Sequence, residues 1–342
     1  MQMGNYKGGR VRRIGALLAA LAVMLAVPAL AEASDHSEIV RTFDAEAGQL
    51  SEGVAVDKTG NVFVSLAPLG QLLKFAPGSS DYEVFGSIPG WAPDGEGAGF
   101  LGLAVDATGN VYGAAQWTGS TGVWKFDRNT GEATLIPGTE AAGFPNSLAF
   151  DKPGNLYFTD SFSNGDEADP LGAVWRIGRD GSVVKWLESK AIAGTGAFGI
   201  GPVGANGISY RKATLYVAVA EQFSIVSIDV AKDGSAGNVA TVAAGLELGG
   251  PDGIALDVHG NIYVAAITDN AVKRVNRDGS IEVLAAGAED GLDLPSSVAF
   301  GTGAGMKQTL YAVNLALIPA LGTGIGPALV AIDVGVPGLP LP

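Results

Sequence analysis

The sequence predicts an all-β protein, a six-bladed β-propeller built from four-stranded antiparallel blades. A short motif recurs six times: one residue, usually polar, is followed by a small residue and then by an apolar strand. The residues at the first position of the motif, termed the ring position, are Glu52, Leu101, Asn146, Asn206, Asp252 and Ser296. Their separations of 49, 45, 60, 46 and 44 residues suit a propeller blade, which takes about 40 to 50 residues. Six copies therefore predict six blades.

A tight hairpin joins the first two strands of most units. Four copies of the motif continue with Asp-x-x-Gly-Asn and reach an aromatic residue two positions later, and these begin at Asp57, Asp106, Asp151 and Asp257. Asp, Gly and Asn favour the turns that connect antiparallel strands, and aromatic and β-branched residues favour the strand that follows. The other two units lack this turn but reach the same strand at Tyr216 and Tyr311.

Third and fourth strands complete every unit except the last. Third strands are predicted around Phe75, Phe126, Ile177, Ile228, Val275 and Ile332, and fourth strands over 82–85, 133–136, 183–187, 239–242 and 281–284. The sixth unit has no fourth strand after 330–334. We expect the early segment 38–43 to supply it, because pairing the two ends of the ring hides edges that would otherwise stay unpaired.

Residues 1–31 have the pattern of a signal peptide. Basic residues at 7, 10, 12 and 13 precede an apolar run over 14–30, which ends in Ala29-Leu30-Ala31, the small-x-small pattern of a signal-peptidase site. We expect export to the periplasm or the medium, with residues 32–342 forming one propeller domain. The apolar run is barely long enough to span a bilayer, so an uncleaved membrane anchor is the alternative.

Composition restricts the chemistry and the partners. The chain has no cysteine, which excludes disulfides, thiol nucleophiles and thiolate metal ligands. Removal of residues 1–31 takes away four of the 21 basic residues and none of the 35 acidic ones, so the net charge changes from -14 to 17 minus 35, or -18. A chain this acidic disfavours nucleic acid and anionic membranes. We expect a monomer that acts on a small molecule.

The ring position supplies a candidate metal site. The innermost strands of a propeller line its central channel, and equivalent residues lie at equal height around that channel. The four polar ring residues, Glu52, Asn146, Asn206 and Asp252, would bring together two carboxylates and two amides, which are oxygen ligands suited to Ca²⁺ or another hard divalent cation. The alternative is that Asn and Asp before a strand stabilise turns. Four such residues at one position, including a Glu, favour the metal site.

These motifs resemble the gluconolactonase/regucalcin-like family of six-bladed calcium propellers. The most specific segments are 251–257 with 260–265, 206–208 with 215–217, 156–160, and Glu52-Gly53. The resemblance implies that Glu52, Asn206 and Asp252 bind calcium and that Asn146 is the fourth ligand or orients the substrate. Lactonases of this family have an Arg shortly before the Asn of blade three. This sequence has Phe144 there, which argues against a sugar lactone as the substrate.

The activity that the resemblance implies is hydrolysis of a lactone or a related ester, with the metal ion polarising the carbonyl group. Asp252 is the candidate for the base that positions or deprotonates water, and Asn146 is the second candidate catalytic residue. Glu52 and Asp160 are alternative bases, although Asp160 at the end of a strand equally suits a structural role. A non-catalytic binding propeller, and a relative with phosphotriesterase or strictosidine-synthase-like chemistry, are alternative functions.

Histidine and aromatic residues narrow the choice further. The two histidines lie beside the signal peptide, at His36, and in a predicted turn, at His259, so a Ser-His-Asp triad has no base. Trp91, Phe100 and Trp117 lie in or beside loops of the first blades. They are candidates for an apolar wall of the substrate site, or they pack on their own blades.

Overall fold

The computed structural model describes residues 36–199, 201–317 and 321–341, which form six four-stranded antiparallel sheets. The strands of the first three blades are β2 Ser51–Val56, β3 Val62–Leu66, β4 Gln71–Phe75 and β5 Tyr82–Ser87; β6 Gly97–Val105, β7 Val111–Trp117, β8 Gly122–Phe126 and β9 Ala133–Leu135; and β10 Pro145–Phe150, β11 Leu156–Asp160, β12 Gly172–Ile177 and β13 Val183–Ser189. Those of the last three are β14 Ala205–Arg211, β15 Thr214–Val219, β16 Ser224–Val230 and β17 Ala236–Ala244; β18 Pro251–Leu256, β19 Ile262–Ala266, β20 Ala271–Val275 and β21 Ile281–Ala286; and β22 Pro295–Phe300, β23 Thr309–Asn314, β24 Ala328–Asp333 and β1 Ser37–Thr42. The predicted six-bladed propeller is confirmed.

The last blade is completed by the first strand of the chain, as predicted. Strand β1 pairs antiparallel with β24, with Ser37 opposite Ile332 and Thr42 opposite Ala328. The N–H of Phe43 donates to the carbonyl oxygen of Pro327 at 2.8 Å and extends this pairing. Residues from both ends of the propeller therefore share one sheet, which closes the ring and gives the last blade its fourth strand.

The hairpins between first and second strands form one end of the propeller, termed the turn face. Asp57 accepts hydrogen bonds from the backbone and side chain of both Thr59 and Asn61, at 2.7–3.0 Å. Asp106, Asp151 and Asp257 make the corresponding bonds within their own turns. The predicted role of Asp and Asn in these turns is confirmed. Both histidines, His36 and His259, are exposed.

The hydrophobic core lies between successive blades. Phe63 of blade one packs with Phe100 of blade two in a single buried cluster. Between blades five and six, the rings of Tyr263 and Phe300 meet edge to face with centroids 4.9 Å apart. Burying a side chain of this size stabilises the fold by roughly 1.5–3 kcal/mol, so each blade depends on its neighbours.

The opposite end of the propeller, where the innermost strands begin, is termed the site face. Six short 3-10 helices lie in its loops: Thr139–Ala141, Lys190–Ile192, Ala220–Gln222, Leu246–Leu248, Ile267–Asp269 and Ala288–Asp290. Within the described ranges no helix is long and apolar enough to cross a bilayer. The predicted signal peptide, residues 1–31, lies outside those ranges.

The central channel is covered on the turn face by the C-terminal segment. A cavity of about 170 Å³ is lined by the innermost strands of all six blades and by residues 339–341. The N–H of Leu339 donates to the carbonyl oxygen of Leu256 at 2.8 Å, and the N–H of Val258 donates to that of Pro337 at 3.1 Å. Because this segment crosses the turn-face end, a small molecule would reach the ring position from the site face.

Candidate functional site

The four polar ring residues occupy the same place in four innermost strands. Glu52, Asn146, Asn206 and Asp252 are each the second residue of their strand. All four are buried, with between 5% and 8% of their surface exposed. Polar side chains buried at the start of an apolar strand require partners, because an unpaired buried polar group is unfavourable.

A β-bulge occurs at the ring position in every blade. In blade five, the pairing of β18 with β19 is interrupted between Pro251 and Ile254, and in blade one the interruption lies between Ser51 and Val54. The other four innermost strands show the same irregularity. A bulge takes a residue out of the regular alternation of a strand and changes the direction of its side chain. The side chain at the ring position therefore does not follow the in-and-out alternation of the rest of its strand.

Neighbouring innermost strands approach closely just after the ring position, which explains the small residue in the motif. A Cβ atom on Gly207 would lie 2.3 Å from the carbonyl oxygen of Asp252. A Cβ atom on Gly53 would lie 2.4 Å from the carbonyl oxygen of Leu101. Both distances are much shorter than van der Waals contact, so Gly53 and Gly207 cannot be replaced without separating the blades, although Ser147 and Ser297 occupy this position in blades three and six.

Hydroxyl groups hold the backbone of the ring from the neighbouring blade. Thr159 Oγ1 donates to the carbonyl oxygen of Asn206 at 2.6 Å, and Ser296 Oγ donates to that of Glu52 at 2.8 Å. Ser65 makes the same type of bond between blades one and two. Because these bonds cross from blade to blade at the ring position, they fix the relative placement of the ring side chains.

Burial changes the protonation of the two ring carboxylates. It raises the pKa of Glu52 well above its ordinary value, and the negative charge of Asp252 raises that pKa further. Burial also raises the pKa of Asp252 to about 8, against the opposing effect of a hydrogen bond from the Asn206 side chain. The charge of Asp252 in blade five therefore acts on Glu52 in blade one. Glu52 Oε2 is buried and has no hydrogen-bond partner.

These residues fit a hard cation that binds through oxygen. Asn146 Nδ2 donates to Ser161 Oγ at 3.2 Å, so the amide oxygen of Asn146 is the atom left for a ligand. Within the described ranges, no group of three or more His, Cys, Asp or Glu side chains is placed to hold a metal. The predicted donor set, which would be two carboxylates and two amides, therefore depends on the amide oxygens. Calcium accepts such a set and takes about six to eight oxygen ligands, whereas zinc prefers His and Cys.

Asp160 holds the loop that precedes the ring. It is fully buried and accepts hydrogen bonds from the N–H groups of Gly143 and Phe144, at 3.1 and 2.7 Å, and from Trp175 Nε1 at 3.0 Å. Burial raises its pKa, and these hydrogen bonds act in the opposite direction. Because both carboxylate oxygens are engaged, Asp160 fits the structural alternative: it fixes the segment that leads into Asn146.

Glu221 holds a second loop of the site face, a role that the sequence did not indicate. Only 4% of its surface is exposed. Its carboxylate accepts four backbone hydrogen bonds of 2.7–3.0 Å, from Thr195, Gly196, Phe198 and Val203. The glycine-rich composition of the segment 194–204 is visible in the sequence. The partner of this segment, Glu221, cannot be recognised from the sequence, because the contact arises only when the loop folds back onto blade four.

Of the aromatic residues considered for a substrate wall, two pack against each other. The rings of Trp91 and Trp117 are stacked, 5.0 Å apart and inclined by 7°. Their Nε1 atoms donate to the carbonyl oxygens of Pro68 and Ala92, both at 2.9 Å. Phe100 is fully buried in strand β6. Phe100 therefore belongs to the core between blades one and two and does not form part of a substrate wall.

Solved structures with the same fold include three proteins of related description. A gluconolactonase from Xanthomonas campestris is 20% identical over 92% of this chain and 99% of its own, with a TM-score of 0.61. The calcium-binding protein regucalcin from Agrobacterium tumefaciens is 18% identical over 86% and 93%, with a TM-score of 0.64. A luciferin-regenerating enzyme is 17% identical over 89% and 97%, with a TM-score of 0.65. These likenesses establish the fold.

The family follows from the sequence itself. No curated protein sequence gives a significant match. The sequence model of the SMP-30/Gluconolactonase/LRE-like region matches residues 120–313, which is more than half of the chain. Asn146, Asn206 and Asp252 lie inside the matched region, and Glu52 lies before it. The chain therefore belongs to the SMP-30/gluconolactonase/LRE-like family.

Proposed function

We propose that this protein is a calcium-dependent hydrolase that opens a lactone or a related ester at the ring position. The observation that carries the proposal is the buried carboxylates Glu52 and Asp252: burial and then the negative charge of Asp252 raise the pKa of Glu52, and Glu52 Oε2 lacks a partner. A divalent cation would satisfy that oxygen and balance both charges. Membership of the SMP-30/gluconolactonase/LRE-like family supports a lactonase-type activity.

Each polar ring residue has a role in this proposal. Glu52, Asn206 and Asp252 would hold the ion, and Asn146 would contribute its amide oxygen to the ion or orient the substrate. When bound, calcium supplies Lewis-acid stabilisation of the negative charge that develops on the carbonyl oxygen. The bonds from Thr159 and Ser296 to the ring backbone limit rearrangement when the ligand binds.

Asp252 is the proposed acceptor of the proton from the attacking water. The water oxygen forms a bond with the carbonyl carbon, the ring C–O bond breaks, and the proton passes by way of Asp252 to the ring oxygen, which gives a hydroxy acid. Asp160 is less suited to this role because three donors already engage its oxygens. A carboxylate that also binds a dication is a weak base, so Asp252 would position the water as well as relay its proton.

The metal site is tested by titrating the chelated protein with calcium and measuring the heat of binding by calorimetry. We expect one ion to bind to the wild-type protein and binding to be lost in Asp252→Asn. Asp257→Asn, at the turn-face end of the same strand, is the control and should keep calcium binding. Lactone hydrolysis, measured as the release of acid at constant pH, should require calcium and should be lost in Asp252→Asn.

The alternatives give different results in the same experiments. A folded protein that neither binds calcium nor opens lactones would favour a non-catalytic propeller. A protein that binds calcium and cleaves a phosphotriester but does not hydrolyse lactones would favour the phosphotriesterase alternative. Either result would contradict the lactonase proposal.

We also propose that the mature protein works outside the cytoplasm as a monomer on a small molecule. The pattern of residues 1–31 and the acidic composition support this. N-terminal sequencing of the protein recovered from the periplasm or the medium should begin at Glu32. A chain that keeps residues 1–31 and sediments with membranes would favour the anchor.

A further inference from the structure

Three phenylalanines pack together on the site face, next to the ring. The phenylalanine cluster consists of Phe144, Phe198 and Phe223, with Val203 and Ala220 packed among them. The rings of Phe198 and Phe223 meet edge to face, 6.2 Å apart at 90°. Both are buried, whereas Phe144 is half-buried and forms the part of the cluster that solvent reaches.

The cluster lies beside three of the four polar ring residues. Phe144 comes two residues before Asn146 in the chain. On the other side, the Cζ atom of Phe198 lies 3.4 Å from the position that a Cβ on Gly250 would occupy, and Gly250 comes two residues before Asp252. The cluster therefore extends from blade three to blade five, across the start of blade four, which carries Asn206.

Buried carboxylates hold the cluster in place. Asp160 accepts the N–H of Phe144 at 2.7 Å, and Glu221 accepts the N–H of Phe198 at 2.8 Å. Two separate loops are thus fixed by hydrogen bonds to charged groups, which are stronger than bonds between neutral groups. A surface fixed before binding loses less entropy when a ligand binds, and it is therefore suited to recognition.

Phe223 adopts a backbone conformation that phenylalanine rarely takes. Its φ is 48°, in the left-handed region. The equivalent residue, directly before the third strand, is Gly70 in blade one and Asn270 in blade five, the residue types that tolerate this region. A bulky residue there carries strain of about 1–3 kcal/mol, and such strain concentrates at functional sites. The side chain of Phe223 offsets the strain through its contact with Phe198.

The surroundings of the cluster disfavour charged substrates. In the described part of the site face, the basic side chains that reach the connecting loops include Lys190 and Lys273, and they pair with Asp169 and Asp269. Acidic residues such as Glu96, Glu140 and Asp166 are frequent in the same loops. An anionic substituent would meet repulsion here, whereas a neutral apolar group would not.

We propose that Phe144, backed by Phe198 and Phe223, forms the contact surface for an apolar substituent of the substrate. The substrate is then a lactone or ester that carries an alkyl or aryl group, and not a polyhydroxylated ring. The identity of the reacting group rests on the proposed function. The contact surface rests on the phenylalanine cluster and is tested separately.

The test compares two phenylalanines at the two ends of strand β10. Phe144 directly precedes the strand on the site face, and the half-buried Phe150 ends it on the turn face, so Phe150→Ala is the matched control. The measured quantity is kcat/KM for γ-nonalactone divided by kcat/KM for γ-butyrolactone. We expect this ratio to fall about tenfold in Phe144→Ala, since an apolar contact of this kind discriminates by roughly 10- to 200-fold. Phe144→Leu should keep most of the ratio, and Phe150→Ala should leave it unchanged.

A binding measurement separates this inference from the proposed function. Ligand-observed NMR compares 2-pentylcyclopentanone with cyclopentanone, which resemble the lactones but cannot be hydrolysed. Binding of the pentyl compound that depends on Phe144, in a protein that opens no lactone, would support the contact surface and overturn the lactonase activity. Lactone hydrolysis with a ratio that Phe144→Ala leaves unchanged would overturn the contact surface. Failure of the pentyl compound to bind more tightly than cyclopentanone would also overturn it.

Discussion

The two ends of the propeller use the same kinds of polar side chain for different purposes. On the turn face, Asp257 accepts hydrogen bonds from the N–H groups of Gly260 and Asn261 and from Asn261 Nδ2, at 2.7–2.9 Å. Five residues earlier, on the site face, Asp252 is buried with a raised pKa, and its charge raises the pKa of Glu52, whose Oε2 has no partner. A carboxylate that is satisfied by its own turn maintains the fold, whereas a buried carboxylate with an unpaired oxygen, such as Glu52, provides capacity to bind a ligand.

Regularity differs between the two faces in the same way. The turn face repeats one hairpin motif in four blades, at Asp57, Asp106, Asp151 and Asp257. The site face has loops of different length, and it contains every 3-10 helix among the described residues. Function in scaffolds of this kind lies on variable loops that a regular framework supports. Departures from the repeat are therefore the places to look for specificity.

The largest contrast is expected between Asp252→Ala and Asp257→Ala, two substitutions next to the same strand. Asp252→Ala removes a buried carboxylate, so the Tm of the calcium-free protein should stay the same or rise, and calcium should no longer raise it. Asp257→Ala leaves four donors without their acceptor, the fourth being the hydroxyl of Tyr263 at 3.3 Å, so the free energy of unfolding should fall by about 1–3 kcal/mol. Calcium should still stabilise this variant, by about 2.7 kcal/mol at a hundredfold excess over Kd.

Thermal unfolding with and without calcium measures both effects. Loss of the calcium response in both variants would mean that the metal site depends on the turn, and the functional distinction between the faces would fail. Retention of the response in Asp252→Ala would place the metal elsewhere.

The fold could be predicted from the sequence because its determinants are local. Turns such as that at Asp57 are made within five residues, and the closing strand Ser37–Thr42 was indicated by the absence of a fourth strand in the last unit. The position of the ring followed from the spacing of the repeat. Each of these signals lies in a short stretch of chain or in one period.

The surroundings of the ring could not be predicted in the same way. The bulge at the ring position leaves no mark in the apolar pattern, because one extra residue does not change the composition of the strand. The bond from Glu221 to Phe198 depends on a loop returning to a different blade. Phe223 in the left-handed region contradicts its own conformational preference, so local rules would assign a different residue there.

The second contrast is an opposite dependence of stability on pH at the two faces. The pKa of Asp252 is about 8 in the folded protein against an ordinary value of 3.8, so its contribution to stability is present at low pH and is lost as pH rises through 8. For Asp106, burial alone would raise the pKa, but hydrogen bonds from Asn110 and Thr108 lower it. Its contribution is present above pH 3.8 and is lost as pH falls.

The contribution of the site-face carboxylates is measured by calorimetric unfolding between about pH 5 and 8. The upper limit is the raised pKa of Asp252. The Tm of the chelated wild-type protein should fall across this range. The decrease should be smaller in the double variant Glu52→Gln/Asp252→Asn, with a residual slope from the raised pKa of Asp160. Calcium at pH 8 should restore the Tm of the wild-type protein but not that of the double variant. Identical slopes in both proteins would show that the ring carboxylates are not the groups that titrate.

The smallest contrast is expected from single methyl groups added to glycines of the two faces. Gly207→Ala places a Cβ 2.3 Å from the carbonyl oxygen of Asp252, so blades four and five must separate at the ring. Overpacking of this kind lowers stability by about 1–3 kcal/mol, and the displacement of Asp252 should weaken calcium binding as well. Gly303→Ala is the control on the turn face, because the added Cβ would meet no atom closer than 3.8 Å.

Urea unfolding and calcium titration together decide the outcome for the two glycines. We expect Gly303→Ala to change the free energy of unfolding by less than about 0.5 kcal/mol and to keep the calcium affinity. If Gly207→Ala lowers stability without weakening calcium binding, the close approach of the strands serves packing alone. If it weakens calcium binding more than the loss of stability explains, the small residue of the motif is needed to place Asp252. The repeat then specifies the site as well as the fold, because the same glycine allows both the contact between blades and the position of the ligand.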